Sequence, residues 1–249
     1  MQLTFSILSW GAWAPQYPFN DSWQSWRKNS AESTSGTNTT SELDATSPAL
    51  THIPAMQRRR FSRLTKMMLE VSFRCGMAQN CRSIFASRHG ELPRTIGLLE
   101  DIITKQPLSP LGFSQSVHNT ASGIFGIVAA NTAPSTSIAA GTETLSQAMV
   151  EAFAQLHQSP EPLLLVFGDD PVPPVYDEFT QEVELPLALG LKLAPMGAQS
   201  STRLRVKRIT KEESSIINPL TYGEFIQALA TSKDISGCLS KWHWSLEHV

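Results

Sequence analysis

The chain has 249 residues, of which 41% are hydrophobic and 17% are charged, and its formal net charge is -2. This length and apolar content suffice for one substantial buried core, so we expect a single domain that spans the whole chain, residues 1–249. A balance of 20 basic and 22 acidic residues provides no global field for a nucleic acid. Recognition of a charged partner must therefore depend on local patches.

The three cysteines, Cys75, Cys81 and Cys238, form neither a paired disulfide framework nor the spacing of a zinc site. We expect reduced thiols, no metal and no cofactor. The first 15 residues are apolar, but they carry no basic residue, and tryptophans stand where a signal-peptide cleavage site needs small residues. Since no apolar stretch is long enough to span a bilayer, we expect a soluble, cytoplasmic protein without a membrane span.

The apolar N-terminal segment predicts a first strand, and tryptophans crowd this region at Trp10, Trp13, Trp23 and Trp26. Exposed aromatic residues often anchor interfaces, so the four could form a partner-facing patch. Packing beneath a long loop is the alternative. The polar, low-complexity run at residues 29–48 predicts that loop and indicates that it is mobile.

From Met56 onward, apolar residues recur at intervals of three and four, which predicts a helix with one apolar face. The opposite face is basic and carries Arg58, Arg59, Arg60, Arg63 and Lys66. Arginines in a first helical turn oppose the helix dipole, so their placement suggests an acidic partner or a phosphate group. The alternative is a solvated face, or arginines paired within the fold.

The next segment predicts a strand, a turn and a helix at residues 83–86, 87–91 and 93–103. In the turn, His89 lies between charged neighbours and is either a general base or a structural hydrogen-bonding residue. Further on, His118 or Asn119 is a natural cap for a following helix rich in small residues. A hydrolytic pair of Ser116 and His118 lacks a third, orienting group.

The remaining pattern continues the alternation of strands and helices. It predicts a helix at 145–156, a strand at 163–170, a hairpin of 184–194 with 203–209, a helix at 219–230 and a final strand in KWHWS at 241–245. Apolar strands that alternate with helices indicate an α/β fold. We expect a mixed, mainly parallel sheet between helices.

Five segments together resemble the short beta-ketoacyl-synthase-like proteins, or ketosynthase N-terminal-like domains, found with aryl polyene and type II polyketide systems. These segments are RRRFSRLTKMMLEV (58–71), FASRHGEL (85–92), PLSPLGFSQSVHNTASG (107–123), APSTSIAAGTET (133–144) and LLLVFGDD (163–170). The resemblance covers residues 56–170. It implies a thiolase-like layered fold that corresponds to the N-terminal half of a ketosynthase.

In the ketosynthases that this chain resembles, a tight turn between a strand and a buried helix bears the catalytic cysteine, and the matching residue here is Thr142. A helix N-terminus stabilises a thiolate, whereas a threonine hydroxyl needs an adjacent base before it can attack. The motifs that carry the two ketosynthase histidines also have no counterpart in this chain. The resemblance therefore implies a retained fold without condensing activity, with Thr142 as a helix N-cap or turn residue.

Our first hypothesis is a chain-length-factor-like subunit that forms a heterodimer with an active ketosynthase and helps to shape its acyl tunnel. Its substrates would be polyene or polyketide chains on an acyl carrier protein. The resemblance implies a strand that pairs across the dimer at Ser135, Thr136, Ser137, Ile138, Ala139 and Ala140. The expected contacts to the acidic carrier or to the ketosynthase are Arg58, Arg59, Arg60 and Arg63.

Two other hypotheses belong to different classes. One is a stand-alone thioester hydrolase that uses Thr142 or Ser116 with His118 or His89. The other is a non-catalytic module that binds the acyl carrier protein. The lack of a complete set of nucleophile, base and orienting group disfavours the hydrolase, and the sequence does not separate the remaining two hypotheses.

Overall fold

The computed structural model describes residues 1–27, 46–76, 80–179, 184 and 186–249. Most of the polar run for which we predict a mobile loop, residues 29–48, lies outside the described residues. Within the described chain, no helix is long and apolar enough to cross a membrane.

Eight strands form one sheet. They are β1 (Gln2–Trp13), β2 (Ser83–Ala86), β3 (Ser135–Ile138), β4 (Leu163–Asp169), β5 (Leu187–Pro195), β6 (Thr202–Arg208), β7 (Ile235–Leu239) and β8 (Trp242–His248). Their order across the sheet is β3-β2-β4-β5-β1-β6-β8-β7. The two edge strands are therefore β3 and β7.

The described α-helices are distributed along the whole chain. They are α1 (Ala55–Arg58), α2 (Arg63–Arg74), α3 (Leu92–Ile103), α4 (Pro110–Ser114), α5 (Thr120–Val128), α6 (Thr144–Gln158), α7 (Lys211–Ile216) and α8 (Tyr222–Thr231). Several begin at hydroxyl caps. Thr221, for example, accepts a hydrogen bond from Glu224 N, and the Glu224 carboxylate accepts one from Thr221 N.

Helices cover the sheet on two faces. On one face α6 and α8 pack against the alternate apolar residues of β1, β4, β5, β6 and β8. On the other face α2 and α5 pack against β2, β4 and β5 and form a second core. The predicted fold class, an α/β layered fold with a mixed sheet between helices, is confirmed.

The strand directions differ from the prediction of a mainly parallel sheet. Only β2 with β3 and β2 with β4 are parallel, whereas the other pairings in the described sheet are antiparallel. The predicted hairpin of residues 184–194 with 203–209 is wrong, because β1 lies between β5 and β6 and pairs with both. β1 takes this central place because Leu3 and Phe5 are fully buried, and a buried strand needs hydrogen-bonding partners on both sides.

The predicted helix from Met56 is interrupted. α1 ends at Arg58, and α2 begins at Arg63 after Ser62, whose Oγ accepts a hydrogen bond from Thr65 N at 3.0 Å. The expectation that three arginines share the first turn of one long helix is therefore wrong. The hydroxyl cap at Ser62 starts a new helix, and the preceding arginines lie outside its first turn.

The tryptophans are explained by packing. Trp13 and Trp23 are buried, and Trp10 and Trp26 are partly buried against the first core. Gln227 of α8 donates a hydrogen bond to the Trp26 carbonyl at 2.6 Å, which ties this N-terminal segment to a C-terminal helix. The alternative of a partner-facing tryptophan patch is therefore not needed.

Candidate functional site

The turn after β3 is the centre of the site suggested by the sequence. β3 leads into a 3-10 turn, Gly141–Glu143, and α6 follows at once. Thr142 is exposed in this turn. The hydroxyl that organises the turn belongs instead to Thr144, which accepts a hydrogen bond from Ala140 N at 2.9 Å and donates one to Gly141 O at 2.7 Å. The structure thus places Thr142 in the turn, with the capping contacts made two residues later.

Glu143, the other polar residue of the turn, is engaged by the C-terminal hairpin. Its carboxylate accepts a hydrogen bond from Trp242 Nε1 at 3.2 Å and lies 3.4 Å from Arg208 Nη1 and 3.5 Å from Lys241 Nζ. The Trp242 hydrogen bond and these two cations lower the pKa of Glu143. Because its carboxylate is held as a stabilised anion, Glu143 is a weak base for activating Thr142.

The predicted partner strand lies at an edge of the sheet. β3 pairs with β2 on one side, where Pro134 O and Ile138 O accept hydrogen bonds from the next strand, each at 3.1 Å. Since alternate residues of a parallel strand point to opposite sides, the backbone groups of Ser135 and Ser137 face outward. No described backbone group pairs with them. This edge is available to a strand from another chain.

Exposed apolar side chains lie on α3 and α4, which pack against each other. α3 is amphipathic, yet none of its residues is buried. Ile103 is 79% exposed and Phe113 is 66% exposed. Together with Leu108, on the segment between the two helices, these side chains form the set that we call the apolar helix surface: Leu99, Ile102, Ile103, Leu108, Leu111 and Phe113. Several large apolar residues exposed together are typical of an interaction site.

A groove of about 860 Å³ opens between α3, the start of α2 and the segment after β4. At its floor Arg63 Nη2 lies 2.6 Å from Asp170 Oδ1. Glu91 is buried nearby, and its Oε1 accepts hydrogen bonds from Ser62 and Thr65, each at 2.7 Å. Burial raises the pKa of Glu91, and the two hydroxyl hydrogen bonds oppose that shift. These polar groups satisfy one another, and the described lining of the groove contains neither Cys nor His.

The four arginines expected to contact a carrier or partner separate into two groups. Arg58 donates to the Ala49 carbonyl at 3.1 Å, and Arg63 pairs with Asp170, so both have partners within the fold. Arg59 and Arg60 are exposed. The structure thus leaves two of the four side chains facing solvent.

The residues considered for hydrolysis do not form a catalytic set. Ser116 Oγ donates to Phe113 O at 2.9 Å, and His118 Nε2 donates to Ser87 O at 2.8 Å, so neither is bonded to the other. Burial raises the pKa of Cys75 to about 12, which makes this thiol a poor nucleophile. All three cysteines are free. Among the described residues, no three His, Cys, Asp or Glu side chains are grouped to hold a metal ion.

A polar network at the ends of β2 and β4 was missed by the sequence analysis. Asp169 is fully buried and bonded to Ser87, which follows the neighbouring strand. A signal was present, because both residues directly follow apolar strand segments. Recognising it required the knowledge that these two strands are parallel neighbours, so that their carboxyl ends meet.

The family model for the N-terminal domain of beta-ketoacyl synthases matches residues 23–245. The chain belongs to this family. The match extends from the tryptophan-rich segment to the last strand, well beyond the residues 56–170 that carried the resemblance. A comparison with curated proteins found no match.

Solved structures share the fold of this family member. A chain of the ketosynthase (ApeO) in complex with its chain length factor (ApeC) from Xenorhabdus doucetiae matches with a TM-score of 0.75 and 22% identity, over 99% of this chain and 100% of that chain. The ishigamide ketosynthase/chain length factor matches with a TM-score of 0.61 and 14% identity, over 85% of this chain and 69% of that one.

A third match is a chain of AntDE:AntF, a type II acyl carrier protein in complex with its ketosynthase bound to the hexaketide. It has a TM-score of 0.59 and 11% identity, over 100% of both chains. At these identities the comparisons show the fold. The thiolase-like ketosynthase fold expected from the sequence is therefore confirmed.

Proposed function

We propose that this chain is a non-catalytic ketosynthase-like subunit, comparable to a chain length factor, that forms a heterodimer with an active ketosynthase. The observation that carries the proposal is the open edge of β3, which leads directly into the exposed turn that contains Thr142, the residue that the resemblance matches to the ketosynthase nucleophile. A strand edge with unpaired backbone groups favours pairing with another chain. The loss of the nucleophile removes the chemistry without removing that edge.

The apolar helix surface supports a role in the acyl tunnel. Large side chains such as Ile103 and Phe113 are exposed on α3 and α4. In a heterodimer these side chains would be covered by the ketosynthase and would help to line the space for a growing acyl chain. An apolar wall suits polyene or polyketide intermediates, because burial of hydrocarbon is favourable and requires no directed polar contact.

Arg59 and Arg60 remain as the basic contacts to an acidic acyl carrier protein or to the ketosynthase. Both are exposed, and they lie three and two residues before Ser62, the cap of α2. Exposed arginines affect the rate and orientation of encounter with an acidic partner more than they affect the final affinity. Arg58 and Arg63 would act indirectly, by holding this segment in place through Ala49 and Asp170.

The deciding experiment is co-expression with a ketosynthase encoded beside this protein, followed by size-exclusion chromatography with light scattering. We expect a stable one-to-one complex. A folded monomer, or a homodimer that ignores the ketosynthase, would contradict the proposal. Binding of the carrier protein without any ketosynthase complex would instead support the carrier-binding module.

A matched activity assay addresses the hydrolase alternative. We expect the purified complex to extend carrier-bound acyl chains, and we expect Thr142→Ala to leave that activity unchanged because Thr142 is a turn residue. The chain alone should release no acyl group from a thioester. Thioester hydrolysis by the isolated chain that disappears in Thr142→Ala would favour the stand-alone enzyme.

A further inference from the structure

The loop that follows β2 is held by a carboxylate from the neighbouring strand. Asp169 is fully buried, and its Oδ1 accepts hydrogen bonds from Ser87 Oγ at 2.9 Å and from Arg88 N at 2.7 Å. The Arg88 guanidinium balances the charge, with its Nε 3.5 Å from Asp169 Oδ2. β2 and β4 are parallel, with Ala86 opposite Phe167, so the loop and the carboxylate meet where both strands end.

A buried charged network is a weak source of stability, because desolvation offsets much of the attraction. Burial indeed raises the pKa of Asp169, against the hydrogen bonds from Arg88 and Ser87. Such networks can instead select one backbone arrangement, since any other arrangement leaves a buried polar group unsatisfied. The arrangement selected here is that of residues 87–90.

The network continues from this loop to the surface. Ser87 Oγ also accepts a hydrogen bond from Gly90 N at 2.9 Å, and Ser87 O accepts one from His118 Nε2 at 2.8 Å. Gly90 has a φ of +54°, and a Cβ at this position would lie 3.0 Å from His118 Cδ2. The His118 ring therefore rests directly on the loop, at a position that favours glycine on both counts.

His118 contacts this loop and also lies close in sequence to α4, which carries part of the apolar helix surface. It lies four residues after the end of α4 and two residues before the start of α5. Part of its side chain is exposed, as are Phe113 and Val117 just before it. The hydrogen bond from His118 to Ser87 O therefore ties the segment that follows α4 to the loop of residues 87–90.

We propose that Asp169, Ser87 and His118 form a positioning relay that fixes the position of the C-terminal end of α4 in the apolar helix surface. This position in turn sets the length of acyl chain that the heterodimer accommodates. This inference rests on the proposed function, because it assigns a role within the same interface. Asp169 acts through Ser87, and Ser87 acts through His118. None of the three touches the reacting atoms.

The test uses paired variants in the complete complex with the ketosynthase. His118→Phe keeps a ring but cannot donate to Ser87 O, whereas His118→Gln retains an N–H donor. Asp169→Asn retains an Oδ1 acceptor for Ser87 and Arg88. The measurements are the stoichiometry of each complex by light scattering and the distribution of product chain lengths by mass spectrometry.

We expect His118→Phe to form the complex and to change the ratio of the two longest products by about threefold or more, since apolar sites discriminate single methylene groups by larger factors. His118→Gln and Asp169→Asn should keep the wild-type distribution. Ser87→Ala deletes only the hydroxyl that joins Asp169 to Gly90, and it should shift the products in the same direction as His118→Phe. Ser87→Ala is tested in place of His118→Phe if His118→Phe does not form the complex with the ketosynthase.

Two results would overturn the relay. One is an unchanged product distribution in His118→Phe or Ser87→Ala when that variant forms the complex, and the other is an equal shift in His118→Phe and His118→Gln. Absence of any complex for the wild-type chain would overturn the proposed function as well. The two failures are therefore distinguishable by stoichiometry alone.

Discussion

The two edges of the sheet differ in how their backbone groups are satisfied. At the β7 edge, Cys238 N donates to Asn218 O and Cys238 O accepts from Leu220 N, each at 2.8 Å, so the segment before α8 covers this part of the strand. At the β3 edge, the outward groups of Ser135 and Ser137 have no backbone partner in the described chain. At the β7 edge the described chain covers Cys238 and leaves Ser236 uncovered, whereas at the β3 edge no described backbone group covers Ser135 or Ser137.

This difference indicates where a partner belongs. Exposed strand edges promote uncontrolled pairing, and proteins usually cover or shorten them. Here a cover is present over Cys238 of β7 and absent at β3 in the described chain, and the apolar helix surface belongs to α3 and α4, which lie between β2 and β3 in chain order. An edge left open in a chain that covers part of its other edge favours a specific interface over accidental exposure.

The largest expected effect comes from blocking the β3 edge. Ser137→Pro removes an outward N–H without breaking a bond to β2, so we expect complete loss of the ketosynthase complex while the chain stays folded. Complex formation is measured by size-exclusion chromatography with light scattering, and folding by circular dichroism. The matched control is Ser236→Pro, at an outward position of β7. If both variants pair normally, the β3 edge is not the interface.

A smaller effect is expected at the apolar helix surface. Ile103→Asp places a charge on a side chain that is 79% exposed here and covered in the proposed complex. We expect the dissociation constant to rise by about 10- to 100-fold, which is typical for disruption of an anchoring residue. Surface plasmon resonance against the ketosynthase measures this change.

The matched control for that variant is Ile216→Asp in α7, where the wild-type side chain is 84% exposed. α7 belongs to the C-terminal part of the chain that lies near β7, so the control should bind like wild type. Equal weakening by both substitutions would show that charge alone, rather than position, controls binding.

The closed edge can be opened by overpacking. A Cβ on Gly237 would lie 2.8 Å from Leu220 Cβ and 3.0 Å from Asn218 O, so Gly237→Val should displace the covering segment. We expect the free energy of unfolding to fall by about 2 kcal/mol. Urea denaturation measures the loss, with the exposed Ser236→Val as control. Unchanged stability would mean that the cover is loosely held.

The smallest effect concerns the contact between the two regions. Glu143→Gln weakens the contacts from the β3 turn to Trp242 and Arg208 and should lower the unfolding free energy at neutral pH by about 1 kcal/mol, since solvent screens the cation. Because the folded-state pKa of Glu143 is lowered, its contribution is present above the unfolded pKa and disappears as the pH falls through the folded pKa.

Denaturation curves of wild type and Glu143→Gln should therefore converge in acid and separate near neutral pH. Glu151→Gln serves as a comparison, at a half-buried position of the same helix α6 where the carboxylate accepts a hydrogen bond from Gln155. A difference between wild type and Glu143→Gln that persists unchanged in acid would show that the carboxylate charge does not contribute.

The sequence determined most of the individual elements of this protein. β1, β2, β4, α6 and α8 lie close to the predicted bounds, because their apolar periodicities and hydroxyl caps are local signals. The resemblance to ketosynthases predicted β3 as a partner strand, although only the sheet order placed it at an edge. β7 escaped prediction because its turn uses Ser240 and Lys241 at positive φ, without the glycine or asparagine that usually marks such turns.

The tertiary structure alone decided which elements meet. Insertion of β1 between β5 and β6 made the sheet mostly antiparallel, which no local pattern could specify. The relay joins Ser87 to His118 and Asp169 across 31 and 82 residues of sequence. The sequence around each of these residues does not explain why it is Ser, His or Asp. Their contacts explain it, and those contacts form only when parallel pairing of β2 and β4 brings distant strand ends together. No local pattern could show this, because the register of two strands depends on both segments.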